Sequence, residues 1–214
     1  MCLNACVDLG AIASRLEPYV TGLTEAQLAQ ISEYLALLMK WNARTNLTSV
    51  RGEDNIVTRH FGESLFAAGQ LFPAPGAGAS AIDVGSGAGF PGLPLKIHAP
   101  RLRLVLIEAQ NKKATFLKEV VRALELAEVT VFSGRAEDFR DRAELVTLRA
   151  VEHFESVLPV AARLTAPAGR LALLIGKAQI QPAKALLPRF SWFRTVDIPG
   201  SSRRVLLVGM SHKS

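Results

Sequence analysis

Apolar positions along this chain change their period near residue 80. Before it, Leu28, Ile31, Leu35, Leu38 and Trp41 recur on one face of a helix. Thr24 with Gln27 three residues on makes a capping box, so that helix is expected from Thr24 to about Trp41. A shorter helix is expected from Leu9 to Glu17, stopped by Pro18, and a third from Arg59 to about Gln70. Between them, WNARTNLTSVR (Trp41 to Arg51) is rich in turn formers. The segment Pro73 to Ser80 (PAPGAGAS) has no periodicity and is expected to be a linker. Beyond it, short strand-like segments at 81–84, 101–107, 129–132, 145–148, 170–175, 193–198 and 205–208 alternate with helical stretches. This alternation predicts an α/β fold with a mostly parallel, seven-stranded sheet covered on both faces. Only a short Pro199-Gly200 turn separates the last two runs, too little for a crossover, so the last strand should run antiparallel. The expected organisation is a helical extension (1–72), the linker (73–80) and a sheet domain (81–214).

The first strand of that domain runs into AIDVGSGAGFPGLP (Ala81 to Pro94), a turn free of bulky side chains followed by a helix start. Two templates fit it. Gly87, Gly89 and Gly92 satisfy G-x-G-x-x-G, the dinucleotide fingerprint. Asp83, Gly85, Gly87 and Gly89 satisfy D-x-G-x-G-x-G, a pattern associated with S-adenosylmethionine (SAM) methyltransferases. Glycine spacing alone does not separate them. The terminal hairpin does, because a parallel sheet ending in one reversed strand is the methyltransferase variant of the doubly wound fold.

Composition narrows the partners. The chain has 214 residues, 49% hydrophobic and 21% charged, the profile of a globular protein. Its 25 Lys+Arg against 19 Asp+Glu give a formal +6, which favours an anionic partner such as RNA. Cys2 and Cys6 cannot build a disulfide framework, and Leu9 stands where a radical-SAM cluster would need a third cysteine. His60 has no second His or Cys at ligand spacing, so no metal is expected. The start MCLNACVDLG lacks the basic and long apolar regions of a signal peptide, and no apolar run is long enough to span a bilayer. A cytoplasmic monomer is expected.

Ligands of such sheets bind at the carboxyl ends of the strands. There Glu108 closes the second strand, placed to accept the hydroxyls of a ribose. After the third strand, Gly134-Arg135-Ala136-Glu137-Asp138 is placed to flank an adenine.

AIDVGSGAGFPGLPLKI, EAQNKKATFLKE, SGRAEDF and VTLRAV, in that order behind WNARTNLT and RHFGESL, resemble the RsmG (GidB) family. These are bacterial 16S rRNA guanine-N7 methyltransferases, and the resemblance spans about residues 20 to 178. It implies a class I SAM-dependent methyltransferase (Rossmann-like) fold, SAM as cofactor with S-adenosylhomocysteine as product, and 16S rRNA or the small ribosomal subunit as partner. The target it implies is a guanine in the 530 loop. It also implies that Gly85 and Phe90 contact SAM and that Ala136 and Glu137 hold its adenine end. Arg149, at the end of the fourth strand, would complete the pocket where substrate enters. Asp83 would brace the glycine turn, leaving Gly85, Gly87 and Gly89 for the cofactor and Gly92 for packing. Where the family usually has Asp this chain has Glu63 and Glu144; Leu148 replaces a frequent Ser beside the substrate, and Gly176-Lys177 inverts the common order.

The implied chemistry needs no general base, since guanine N7 carries an exposed lone pair and positioning supplies most of the acceleration. Arg149 is expected to orient cofactor or base, or else to form a buried pair with Glu137 or Glu108. Arg51, Arg59, Lys112, Lys113, Arg135 and Lys177 are the candidates for a phosphate-binding rim. Two other readings compete. One is an NAD(P)-dependent oxidoreductase, which lacks a hydride-transfer set because Tyr19 and Tyr34 lie in the N-terminal helices. The other is an inactive, methyltransferase-like RNA-binding module.

Overall fold

In the computed structural model, residues 8–72, 78–151, 153–193 and 195–212 are described. Cys2, Cys6 and most of the expected linker (73–77) lie outside them. Helices α1 (Leu9–Leu16) and α2 (Glu25–Asn42) open the chain. The expected capping box is present at α2: Gln27 N donates to Thr24 Oγ1 at 3.2 Å, and Thr24 N to Gln27 Oε1 at 2.9 Å. The third helix begins earlier than expected and is not uniform. A short α3 (Glu53–Ile56) runs into a π-helical turn (Val57–Gly62) and continues as α4 (Glu63–Leu71).

The sheet follows with β1 (Ser80–Val84), α5 (Gly92–His98), β2 (Arg103–Glu108), α6 (Asn111–Ala123), β3 (Val129–Ser133) and β4 (Ala143–Arg149). After these come α7 (Phe154–Leu164), β5 (Thr165–Gly176), a short 3-10 turn and α8 (Ile180–Leu186), then β6 (Phe190–Trp192), β7 (Val196–Asp197) and β8 (Arg204–Ser211). The order is β3-β2-β1-β4-β5-β8-β6, with β7 also on β8. Strands β1 to β5 are mutually parallel, and β8 is antiparallel to β5, β6 and β7. The reversed last strand is therefore present. Of the expected strand 193–198 only Val196–Asp197 (β7) is present, and β6 (Phe190–Trp192) precedes it unexpected, so the sheet holds eight segments rather than seven. Between Trp192↔Gly209 and Val196↔Leu206 the first side carries one residue more than β8, as in a β-bulge.

Side chains of the central strands alternate between two cores. Ala81, Leu104, Leu106, Leu145, Ala172, Leu174 and Leu206 pack toward α1, α2, α4, α5 and α6. Ile82, Val84, Ile107, Val146, Leu148, Leu173, Val205 and Leu207 pack toward α7 and α8. Residue parity thus puts Asp83, Thr147, Arg149 and Arg204 on the face that the N-terminal helices cover. Leu148, expected beside the substrate, is fully buried with its side chain on the opposite face of the sheet from that of Arg149. Glu144 sits at the amino end of β4, where its Oε2 accepts from Ser80 N at 2.8 Å, away from the ligand end.

Candidate functional site

The glycine turn is built from inside the sheet outward. Asp83 is buried; its Oδ1 accepts from Thr147 Oγ1 at 2.7 Å and its Oδ2 from Gly92 N at 3.3 Å. Ser86 Oγ donates to the Asp83 carbonyl at 2.9 Å, and Ser86 N to the Ile107 carbonyl at 2.9 Å. The turn is thereby tied to both neighbours of β1. At Gly87, with φ +57°, an added Cβ would meet only the Gly85 carbonyl at 3.8 Å, so the backbone there is open to a ligand. At Gly89, with φ +91°, the same atom would lie 2.5 Å from Tyr34 Oη and Leu93 Cδ1. Gly89 therefore packs inward, as Gly92 does against Leu106 and Asp83.

Burial pushes the Asp83 carboxyl up to about 6, against hydrogen bonds to the carboxylate from Thr147 and Gly92 that pull it down. Between about pH 4 and 6 the folded chain holds a proton that the unfolded chain releases. This group's contribution to stability is therefore largest below pH 4 and falls as pH rises through 6, by up to about 3 kcal/mol. In urea titrations, the stability of the native chain relative to Asp83→Asn is expected to decline by that order between pH 4 and 7. A difference that stays flat would show a carboxyl titrating normally.

Glu108, at the end of β2, is nearly buried, and its two oxygens accept from Gly87 N (2.8 Å) and Gln110 N (2.7 Å). A carboxylate has about four lone-pair sites, so two remain for ligand hydroxyls. The Glu108 carbonyl accepts from Gly134 N at 3.1 Å, which sets the start of the next segment. Residues 136–138 form a turn rather than a helix, with Ala136 half-buried and Glu137 exposed. Arg163 of α7, a residue the sequence did not point to, holds that turn. Its Nη1 donates to the Phe139 carbonyl (3.1 Å) and its Nη2 to those of Ala136 (3.1 Å) and Glu137 (3.3 Å).

Phe90 is 7% exposed because both ring faces are covered: Tyr34 stacks on it at 5.2 Å and His60 at 4.8 Å. What it leaves a ligand is its backbone and ring edge. Tyr34, fully buried, also donates its hydroxyl to the Ala88 carbonyl, so α2 pins the glycine turn from behind. Burial raises the Tyr34 pKa well above its usual value, which keeps it a donor.

Arg149 pairs with neither Glu137 nor Glu108. Its partner is Glu63: Arg149 Nη2 lies 3.1 Å from Glu63 Oε2 and donates to the Arg59 carbonyl at 2.5 Å. Nη1 lies 3.2 Å from His60 Nδ1. An arginine only donates, so Nδ1 accepts and His60 carries its proton on Nε2, which meets Thr48 Oγ1 at 2.7 Å. Burial and the nearby guanidinium of Arg149 lower the His60 pKa to about 3, so the ring is neutral. Thr48 is itself held by Asn42, whose Oδ1 accepts from Leu47 N and Thr48 N at 2.9 and 3.0 Å. The two polar N-terminal signatures, WNARTNLT and RHFGESL, thus end on one guanidinium. The pairing was missed because Glu63 reaches Arg149 only through the π-helical turn, which apolar periodicity does not reveal.

Of the candidate rim residues, Arg51, Arg59, Lys112 and Arg135 are exposed and Lys113 is half-buried. Lys112 and Lys113 stand in the first turn of α6, where the helix dipole disfavours cations and an anion would be welcome. Arg51 donates to the Thr48 carbonyl at 2.9 Å, and Lys177 pairs with exposed Asp197 at 2.9 Å. In the chain, Lys112 and Lys113 follow β2, Arg135 follows β3 and Lys177 follows β5, whereas Arg59 lies within the π-helical turn and Arg51 just before α3. Among the described residues no three His, Cys, Asp or Glu side chains cluster as metal ligands, and no helix is long and apolar enough to cross a membrane.

The chain is similar to known proteins both in fold and in sequence. Among solved structures, TYW2 of P. horikoshii in complex with MeSAdo superposes with a TM-score of 0.59 at 14% identity, over 72% of this chain and 63% of that one. A SAM-dependent methyltransferase from Aquifex aeolicus superposes with a TM-score of 0.56 at 17% identity, over 69% and 90%. At such identities the likeness is one of fold, that of the class I methyltransferases. The ribosomal RNA small subunit methyltransferase G of Roseiflexus sp. (strain RS-1) is 41% identical over 87% of this chain and 84% of its own length. That of Chromobacterium violaceum is 35% identical over 88% and 90%. A family model described as rRNA small subunit methyltransferase G (GidB) matches residues 27–191, and the chain belongs to that family of methyltransferases.

Proposed function

We propose that this chain transfers a methyl group from SAM to N7 of a guanine in the 530 loop of 16S rRNA, acting as a cytoplasmic monomer on rRNA or the small subunit. The observation that carries the reading is the convergence of the open Gly87 backbone, Glu108 and Arg149 on the carboxyl ends of adjacent strands, in a member of this family. The residues present fit the cofactor. Gly85 and Gly87 offer a backbone without side chains, and Glu108 has free lone pairs for the ribose. Ala136 and Glu137 stand on a rigid turn for the adenine edge, and Phe90 adds its backbone and ring edge. Gly89 and Asp83 support the loop from within. When bound, SAM supplies an electrophilic sulfonium methyl.

What the chain itself must do is hold donor and acceptor in line and keep water out. A guanine N7 needs no deprotonation, so the reaction requires no general base, and His60 is neutral with its Nδ1 committed to Arg149. Arg149 keeps its Nε–H and one Nη1–H free of protein partners among the described residues, to orient cofactor or base. The helical extension (1–72), joined through the linker (73–80) to the methyltransferase domain (81–214), forms one wall of this site. Arg51, Arg59, Lys112, Lys113, Arg135 and Lys177 serve as the phosphate-binding rim.

Mass spectrometry of 16S rRNA from cells with and without the gene tests the reading. One 7-methylguanosine should vanish and return on complementation, while unchanged 7-methylguanosine would refute it. Tight NADH binding without SAM binding would favour an oxidoreductase instead. Arg163→Ala, which frees three carbonyls of the adenine-side turn, is expected to raise KM for SAM about 5-fold with kcat nearly unchanged. An unaltered KM in steady-state assays would remove Arg163 from the site.

A further inference from the structure

Glu63 is the least expected residue of the site. It is 2% exposed, and its two oxygens face two different arginines: Oε2 faces Arg149 Nη2 at 3.1 Å, and Oε1 lies 2.6 Å from Arg204 Nη2. The strand lattice puts both cations on the same sheet face, one at the carboxyl end of β4 and the other at the start of antiparallel β8, with β5 between them. Two guanidinium groups so close require a carboxylate from the covering layer. The π-helical turn supplies it and something more. Glu63 N–H goes to the carbonyls of Thr58 and His60 rather than to Arg59, its partner in an α-helix. The Arg59 carbonyl instead receives Arg149 Nη2, and the His60 ring caps Nη1. One helical turn therefore presents a carboxylate, a carbonyl and a ring nitrogen to one planar fork.

We infer that Glu63 is a positioning residue for methyl transfer: with the Arg59 carbonyl and His60 Nδ1 it locks the Arg149 guanidinium in the single orientation that points its remaining N–H groups at the reacting ligands. This rests on the reading of Arg149 as an orienting residue of the methyltransferase site. It assigns the N-terminal helices a part in catalysis rather than in folding alone. Glu63 touches neither cofactor nor base, and acts through Arg149.

Glu63→Gln is expected to lower kcat/KM at least about 10-fold, because a misplaced orienting group costs rate steeply. The substitution also leaves the nearly buried Arg149 and the partly exposed Arg204 without their shared carboxylate and will lower stability. Glu63→Gln combined with Arg204→Met restores the charge balance. That double variant should regain most of the melting temperature while its kcat/KM stays at least about 10-fold down, and Glu63→Asp, which keeps the charge, should recover most of the activity. A stably folded double variant with native kcat/KM would overturn the inference. Arginine side-chain NMR of the unaltered chain gives a reading independent of any variant folding. A locked guanidinium shows separate Nη1 and Nη2 resonances for Arg149, and averaged resonances would also overturn it. Failure of the unaltered chain to bind SAM would instead refute the functional reading, leaving the NMR result to stand or fall alone.

Discussion

Replacing Arg149 with lysine is expected to lower kcat/KM for methyl transfer about 100-fold, although the positive charge is kept. The side chain is 10% exposed and uses two nitrogens for three bonds, to His60 Nδ1, the Arg59 carbonyl and Glu63 Oε2. Those acceptors lie around a planar fork. An ammonium at the end of a shorter arm can reach the carboxylate, but it cannot also meet the carbonyl and the ring nitrogen while leaving a donor turned outward. The lysine variant would leave a partly buried acceptor unmatched, at a cost of about 1–3 kcal/mol, so it should fold with a lowered melting temperature. Burial already lowers the pKa of Arg149, with Glu63 opposing that shift; a lysine starts from a lower value in the same place and tolerates it less. Calorimetric SAM binding and radiolabel transfer to small subunits, measured on the same preparation, give the affinity and rate effects separately. Activity within about twofold of the native chain would show that charge alone suffices and that the fork has no role.

Much of this was legible in the chain, and the unread parts share a physical cause. Local signals carried directly into structure: Thr24 with Gln27 capped α2, and Asp83 with its glycines made a braced turn at the end of β1. The Pro199-Gly200 turn returned the chain into antiparallel β8. Tyr34 shows where local reading stops. It lies beside an apolar stripe, yet its hydroxyl holds Ala88 and its ring backs Phe90, contacts fixed only when α2 docks on the sheet. Arg163 likewise reaches three carbonyls on a distant turn, and nothing about an arginine near a helix end announces that. Strand parity could have placed Arg149 and Arg204 on one face from the sequence alone. Their partner Glu63 could not have been found so, because the π-helical turn shifts the register of every side chain beyond it. The break between β6 and β7 is of the same kind, one extra residue against a regular partner, which the sequence pattern around it does not display.

The glycines of the turn are expected to fail by different routes when each is changed to alanine. At Gly89 the new Cβ would lie 2.5 Å from Tyr34 Oη and Leu93 Cδ1 and 3.1 Å from Leu117 Cδ2, all in side chains without solvent exposure. Tyr34 has no room to yield, with Phe61, Phe90 and Phe116 about its ring at 5.0, 5.2 and 6.3 Å. Overpacking of this kind costs about 1–3 kcal/mol. A backbone at φ +91° adds about 1–2 kcal/mol for any residue with a Cβ. Together these remove a large share of the roughly 5–15 kcal/mol that holds such a domain folded, and the melting temperature should fall by about 10 °C. Gly87→Ala meets no atom closer than 3.8 Å, so its stability cost is limited to the backbone, about 1–2 kcal/mol, and its melting temperature should shift by about 2–8 °C. Its Cβ would nevertheless occupy the open face beside the N–H that Glu108 orients, where a ligand must approach the backbone. KM for SAM is expected to rise about 10-fold or more in Gly87→Ala, with the fold intact. Paired melting curves and SAM titrations on the two variants decide the matter. If Gly87→Ala bound SAM normally, the cofactor would not lie against that backbone; if Gly89→Ala melted with the native chain, the close packing of Tyr34 behind the turn would be wrong.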